Sequence, residues 1–223
     1  MTQGIERRFA PTELRAARKD GATMPTIEGH AAVFDSLSVE LWGFFEEIAP
    51  GAFADSIAAG DDVRALFNHD PNYVLGRTRN GTLRLAEDEI GLRVEFEPPD
   101  TAQARDVVTL IERGDVSQMS FAFAVLEEKW RIDDMERYVR RIVRAKLYDV
   151  SPVTYPAYPA TDVGVRAAGV FGEIPVIPAD LVQGRQAAAD GDQVQARLEV
   201  LRLRLEIAER ALPEDGGAQA KEG

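Results

Sequence analysis

The stretch VLGRTRNGTLRLAEDEIGLRVEFEPPD, residues 74–100, decides the fold class of this chain. Its apolar and polar residues alternate in runs of strand length, and Asn80-Gly81 separates two of those runs. An Asn-Gly pair is a strong signal for a two-residue hairpin, because both residues readily take positive φ. The stretch therefore predicts a three-stranded antiparallel meander and, with it, a β-rich core.

Segments on both sides of this meander also show the alternation that is typical of strands. IEGHAAVFDS (27–36) and VRALFNHD (63–70) come before it. MSFAFAVLEEKW (119–130) and RYVRRIVRAKLYDVSPV (137–153) come after it, and a charged turn separates them. Two long runs around a short polar turn predict an antiparallel pair of strands.

Before the C-terminal part of the chain, helical spacing is confined to a few segments. Between Asp100 and Gly114, apolar residues fall at i, i+3, i+4 and i+7, with Asp100 and Gln103 placed as a capping pair. These apolar residues are Ala104, Val107, Val108 and Ile111. We expect an amphipathic helix there, a short helix at 52–59 and another around 13–19.

The C-terminal part of the chain differs in composition from the rest. Residues 167–191 are rich in Ala, Gly and Pro, which is typical of a linker. Residues 192–212 carry an apolar repeat with alternating spacings of four and three, which predicts an amphipathic helix that binds a partner or mediates dimerisation. We expect a loosely ordered segment at 1–25, a domain at 26–166 and a disordered tail at 213–223.

Charge and cysteine content exclude several classes of function. The chain has 223 residues, 38 of them acidic and 26 basic, a formal net charge of −12 and no cysteine. Such an acidic chain is poorly suited to bind nucleic acid or an anionic membrane. Without cysteine there is no disulfide, thiol nucleophile or thiolate zinc site. No apolar stretch approaches the ~20 residues that span a bilayer, so we expect a cytosolic protein.

Ser120 lies on a face of small side chains in the predicted strand 119–130. By the period-2 rule, Ser120, Ala122 and Ala124 share one face, whereas the large apolar residues share the other. A row of small side chains leaves room for an extended peptide to bind by strand addition. Close packing of another element of the same chain explains the row equally well.

His69 and Asp149 are the two side chains that could support a serine nucleophile. Serine attack needs a base within hydrogen-bond reach and an acceptor that orients the base. The period-2 rule places His69 on the apolar face at the end of strand 63–70 and Asp149 at the end of an apolar row that includes Leu147. His69 can also be a hydrogen-bonded residue at the edge of the core, and Asp149 can cap the SPVT turn.

Six longer stretches extend these observations over roughly residues 5–168. They are GHAAVFDS, EEIAPGAFADSI, VRALFNHDPNYVLGRT, GLRVEFE, IERGDVSQMSFAF and LYDVSPVTYPAYPATD. Together they resemble the prohead serine proteases of tailed bacteriophages, which are distantly similar to the herpesvirus assembly proteases. The resemblance implies an α+β fold, with a β-barrel core of mainly antiparallel strands wrapped by helices. The apolar repeat at 192–212 adds a C-terminal helical tail to this expected fold.

The resemblance also implies a function and a set of site residues. The protein would be a serine endopeptidase that cleaves scaffold and major capsid protein precursors, and itself, inside the assembling procapsid in the host cytoplasm. Ser120 would be the nucleophile, His69 the base and Asp149 the residue that orients the base. No metal or organic cofactor is implied. The amides of Val153 and Thr154 are the first candidates for oxyanion donors.

Two other interpretations of the function stay open at this point. The domain can be a catalytically silent assembly or scaffolding module with the same fold, or a general Ser/His esterase without a need for an extended peptide. A homo-oligomer formed through the helix at 192–212 is compatible with each of them.

Overall fold

The computed structural model describes residues 4–10, 14–18, 21–154 and 175–185, together with residues 195, 198, 199 and 202. The chain divides into two units, Met1–Ile177 and Pro178–Gly223. In the second unit, residues 179–185 are helical. They lie within the segment that we predicted to be a linker. Most of the predicted helix at 192–212 and all of the tail at 213–223 lie outside the described residues.

The described part of the first unit consists mostly of strands. These are β1 (Glu6–Ala10), β2 (Arg15–Ala17), β3 (Thr26–Val33), β4 (Phe45–Ile48), β5 (Arg64–Phe67), β6 (Asp70–Arg77), β7 (Leu83–Glu87), β8 (Gly91–Phe96), β9 (Gln118–Ile132) and β10 (Tyr138–Val153). The helices are α1 (Ala54–Ala58) and α2 (Ala102–Arg113). No helix in the described part is long and apolar enough to cross a membrane.

The strands form two sheets. The larger has the order β1-β9-β10-β5-β6, with β4 paired to β10, and the smaller has the order β2-β3-β8-β7. The predicted long antiparallel pair is β9 with β10. Strand β10 also pairs in parallel with β4 and β5, which makes it the central strand of the larger sheet.

The mixed α+β class is confirmed, whereas the expected closed barrel is not present in the described part of the chain. Strand β1 forms one edge of the larger sheet and β6 the other. A sandwich of two sheets and a barrel both bury alternate residues of each strand, so the apolar pattern of the sequence does not distinguish them.

One hydrophobic core is shared by both sheets and the helices. Phe121 packs edge-on against Phe53, with ring centroids 5.6 Å apart, and stacks on Phe123 at 5.0 Å. Helix α2 buries the four apolar residues that its spacing predicted. Its N-cap is Thr101 rather than Asp100, because the Thr101 hydroxyl accepts the Ala104 N–H.

The Asn80-Gly81 turn does not join a hairpin, so only part of the predicted three-stranded meander is present: β7 and β8 pair antiparallel, but β6 lies in the other sheet. Residues Thr78–Asn80 form a 3₁₀ turn, and Gly81 alone has positive φ, at 71°. A two-residue type I′ hairpin needs positive φ at both turn residues. The turn instead carries the chain from β6 in the larger sheet to β7 in the smaller one.

The N-terminal segment contains two strands where we expected loose order and a short helix around 13–19. Strand β1 pairs with β9, and β2 pairs with β3. Glu6 and Arg8 of β1 are 5% and 6% exposed. Both side chains belong to a buried network of ion pairs with Glu46 and Arg140. These partners lie far along the chain, so local propensity could not indicate them.

Candidate active site

His69 lies in the turn between β5 and β6 rather than in the strand predicted for 63–70. Strand β5 ends at Phe67, which pairs with Asp70, and the two residues between them are Asn68 and His69. Their φ angles are 55° and 57°. Positive φ at both residues is typical of a type I′ hairpin turn, and Asn and His are among the residues that tolerate it.

Asp149 lies on the same face of the larger sheet as Ser120 because of a register shift in β10. Leu147 pairs with Phe123, whereas Asp149 pairs with Ala122. A slip of one residue moves the side chains that follow to the other face of a sheet. The prediction that Asp149 continues the apolar row of Leu147 was therefore wrong.

Ser120 is the third residue of β9 and lies between two neighbouring strands. Phe9 of β1 pairs with it on one side and Ser151 of β10 on the other. Ser120, Ala122 and Ala124 are all buried. Of the two interpretations of this small-residue face, the structure therefore agrees with close packing of another element of the same chain. Strand β1 pairs with the edge of β9 to which we expected a peptide to add.

The three side chains meet in one chain of hydrogen bonds. His69 Nδ1 lies 2.6 Å from Asp149 Oδ1, and His69 Nε2 lies 2.6 Å from Ser120 Oγ. The side chains of His69 and Asp149 are each 12% exposed, and Ser120 is 6% exposed. In this order of groups, the imidazole can accept the hydroxyl proton during nucleophilic attack, and the carboxylate can orient the imidazole.

A second acceptor competes for the Ser120 proton. Ser120 Oγ lies 2.8 Å from the backbone oxygen of Arg8 in β1. Because a hydroxyl has a single proton, Ser120 donates either to this carbonyl or to the Nε2 atom of His69. The N-terminal strand is thus in direct contact with the Ser120 hydroxyl, which sequence reasoning did not indicate.

Asn68 ties the turn that carries His69 to the end of β10. The Asn68 N–H donates to the Pro152 carbonyl oxygen at 3.0 Å. The Asn68 side chain donates through Nδ2 to Thr154 Oγ1 at 3.0 Å and accepts the Thr154 N–H through Oδ1 at 2.9 Å. We refer to these three hydrogen bonds as the Asn68 clamp.

The Asn68 clamp changes the expectation for the oxyanion donors. The Thr154 N–H already donates to the Asn68 side chain, so it is not free to bind an oxyanion in this structure. Val153 pairs with Gln118 of β9. A hypothesis based on the SPVT loop alone could not include this contact, since Asn68 and Thr154 are 86 residues apart.

The second histidine is engaged elsewhere. His30 Nε2 lies 3.0 Å and 2.8 Å from the two carboxylate oxygens of Asp88. Burial opposes ionisation of Asp88, but hydrogen bonds from His30 and from the Gly91 and Ile90 amides outweigh it and lower the pKa of Asp88. In the described part of the chain, no group of three or more His, Asp or Glu side chains could hold a metal ion.

Ser151 is a further site residue that sequence reasoning missed. Its hydroxyl donates to Asp149 Oδ1 at 2.7 Å and lies 3.4 Å from His69 Nδ1. The signal was available in the spacing, because residues 149 and 151 lie on one face of any regular strand.

Comparison with known protein families shows which family the chain belongs to. A family model described as Caudovirus prohead serine protease matches residues 12–170, which include Ser120, His69 and Asp149. The chain belongs to this family. The resemblance inferred from the sequence motifs is thereby confirmed, and the match extends from before β2 to beyond the end of β10.

Two further comparisons accompany this family match. Among solved structures, this prohead protease family member is similar to the capsid assembly protease of bacteriophage T4, with 10% sequence identity and a TM-score of 0.41. The match covers 66% of this chain and 98% of the T4 chain. A search of curated proteins found no match.

Proposed function

We propose that this protein is a serine endopeptidase of procapsid maturation in which Ser120 is the nucleophile, His69 the general base and Asp149 the residue that orients the base. The observation that carries the proposal is the hydrogen-bonded chain from Asp149 through His69 to Ser120, with both distances at 2.6 Å. It occurs in a chain that belongs to a serine protease family.

The proposed mechanism follows from the order of these three groups. Ser120 Oγ attacks the scissile carbonyl carbon while His69 Nε2 takes the hydroxyl proton. Asp149 accepts the Nδ1 proton of the imidazolium in a hydrogen bond and stabilises its positive charge. The imidazolium then protonates the leaving amine, and the peptide bond breaks to give an acyl-enzyme. Water, activated by His69 in the same way, releases the second product and restores the Ser120 hydroxyl.

The family points to the substrates and the setting. We propose that extended segments of the phage major capsid protein and scaffold are cleaved inside the assembling procapsid in the host cytoplasm. We further propose that the chain cleaves itself in the segment 167–191, whose composition is that of a linker. The helix predicted at 192–212 would then serve for recruitment to the shell or for self-association.

The proposed function can be tested by co-expression with the major capsid protein of the same phage. We expect the wild type to shorten the capsid protein, as measured by intact mass, and the Ser120→Ala variant to leave it unprocessed. Ser117→Ala is the matched control, because Ser117 is exposed and lies three residues before Ser120.

Two outcomes of this experiment and one further assay, with activated esters, separate the alternatives. Equal processing of the capsid protein by wild type and Ser120→Ala would contradict the proposal. The absence of processing by either protein would also contradict it and would favour a silent assembly module. If wild type hydrolyses activated esters with no dependence on peptide length, the general esterase is favoured instead.

A further inference from the structure

Ser151 is a fully buried hydroxyl beside the proposed triad. It is 0% exposed and lies directly opposite Ser120 in the β9–β10 pair. Residues that face each other across two antiparallel strands have Cβ atoms about 4.5–5.5 Å apart. The register shift before Asp149 turns residues 149 and 151 toward the face of Ser120, so two side chains of β10 reach His69 from the same direction.

The direction of the Ser151 hydrogen bond follows from its two neighbours. A carboxylate can only accept, so Ser151 Oγ donates its proton to Asp149 Oδ1 at 2.7 Å. The competing donation to His69 Nδ1 would span 3.4 Å and would be the weaker bond. Asp149 Oδ1 therefore accepts one hydrogen bond from Ser151 Oγ and makes its second hydrogen bond with His69 Nδ1.

The acceptors beside Nδ1 determine the tautomer of His69. Asp149 Oδ1, at 2.6 Å, can only accept, and Ser151 Oγ, whose proton is directed to Asp149, also presents a lone pair to Nδ1. A neutral imidazole has a proton on only one ring nitrogen, so this proton must be on Nδ1. Nε2 is then unprotonated, lies 2.6 Å from Ser120 Oγ and is able to accept its proton.

We propose that Ser151 is a positioning residue of the active site, which holds the Asp149 carboxylate against His69 and keeps the imidazole in the tautomer that accepts from Ser120. The proposal rests on the proposed function of the Ser120, His69 and Asp149 side chains. Ser151 does not contact the reacting atoms in this account, since it acts through Asp149 and His69.

Loss of the hydroxyl should weaken the chemical step while leaving binding intact. In Ser151→Ala, the Asp149 carboxylate loses its second donor and can rotate away from Nδ1. Displacement of a catalytic group by about 1 Å can cost on the order of 100-fold in rate. With a fluorophosphonate probe, we expect kinact to fall by about 10- to 100-fold and KI to stay within about twofold.

Nitrogen NMR on the full-length chain provides a measurement that does not depend on catalysis. The chain contains two histidines, so ¹⁵N-histidine labelling gives two imidazole spin systems, and a His30→Gln variant assigns them. We expect wild-type His69 to be protonated on Nδ1 and Ser151→Ala to populate both tautomers. Ser151→Thr keeps the hydroxyl in a strand and should restore the wild-type tautomer and kinact.

The outcomes separate this proposal from the proposed function. If Ser151→Ala keeps both the Nδ1-protonated tautomer and the wild-type kinact, Ser151 is not a positioning residue. A Ser151→Ala chain with a lower melting temperature but an unchanged tautomer and kinact would also overturn the proposal, because the role would then be structural. If the probe does not react with Ser120 in the wild type, the proposed function itself is wrong, while the NMR result still decides the role of Ser151.

Discussion

The position of Asp149 depends on a single residue of β10. Tyr148 lies at a register shift between Leu147, which pairs with Phe123, and Asp149, which pairs with Ala122. Bulges of this kind redirect side chains and are common beside active sites. Without it, the Asp149 carboxylate would point into the core with Leu147 and would not reach His69.

Replacement of Asp149 by Asn tests the role of the carboxylate. The Asn side chain keeps the shape, but its NH₂ group can donate to His69 Nδ1 and so stabilise the wrong tautomer. We expect Asp149→Asn to fold normally and to lose about 10³- to 10⁴-fold in acylation rate, as is typical of triads with this change. Measurement of kinact beside thermal unfolding checks this, and a loss below tenfold would mean that Asp149 does not orient the base.

The sequence indicated which three side chains meet in the candidate site, but not the geometry that brings them together. The sequence motifs indicated Ser120, His69 and Asp149, because each of these residues lies in a stretch that resembles the protease family. The faces assigned to His69 and Asp149 were wrong, since the period-2 rule assumes a regular strand and neither the turn at 68–69 nor the shift at Tyr148 is regular.

Among the elements, the β5–β6 turn holds His69 against Ser120. Both turn residues are left-handed, and the Asn68 clamp joins the turn to the end of β10, the strand that also carries Asp149. The clamp is solvent-exposed, so it contributes little to the free energy of unfolding. We expect the clamp instead to fix the distances from His69 to Ser120 and to Asp149.

Removal of the Asn68 side chain should therefore affect rate more than stability. Asn68→Gly keeps the left-handed backbone without strain but loses the two side-chain bonds of the clamp. We expect about tenfold or more loss in acylation rate and a change of less than about 1 kcal/mol in unfolding free energy. Asn68→Asp, which still accepts the Thr154 N–H, is the control. Equal rates for wild type and Asn68→Gly would show that the clamp does not position His69.

The elements themselves were predicted where local pattern and tertiary structure agree. Helix α2 and the β9–β10 pair followed from spacing, whereas the Asn80-Gly81 turn and the N-terminal strands did not. Gly81 alone supplies the positive φ of its turn, so the same dipeptide joins two sheets instead of forming a hairpin. Strand β1 has too few residues to show a period and is stabilised by distant partners.

At the scale of the first unit, a buried network of charges attaches β1 to the rest of the larger sheet. Arg8 contacts Glu6 at 2.6 Å and Glu46 at 2.7 Å, and Arg140 contacts the same two carboxylates at 2.7 Å and 2.9 Å. Burial alone would lower the pKa of Arg140, but its hydrogen bond to Glu6 and the nearby carboxylate charges outweigh burial and raise it. The network therefore also holds the Arg8 carbonyl against Ser120.

Interruption of this network should lower the free energy of unfolding of the domain. Arg140→Met keeps an unbranched apolar stem but leaves two buried carboxylates with a single cationic partner, Arg8, which typically costs about 3–5 kcal/mol. Arg84→Met is the matched control, because Arg84 pairs with Glu95 and Glu97 at an exposed site and should cost under about 1 kcal/mol. Urea unfolding measures both, and equal losses would contradict a stabilising role for the buried network.

The proposed function depends on Ser120 being a nucleophile that His69 activates. The most direct test is the reaction of the full-length chain with a fluorophosphonate, followed by peptide mapping of the modified residue by mass spectrometry. His69→Asn is the matched variant, because Asn tolerates the positive φ of position 69. We expect one adduct, on Ser120, that forms in the wild type and is lost in His69→Asn. An adduct on another residue, or equal rates in the two proteins, would contradict the proposed function.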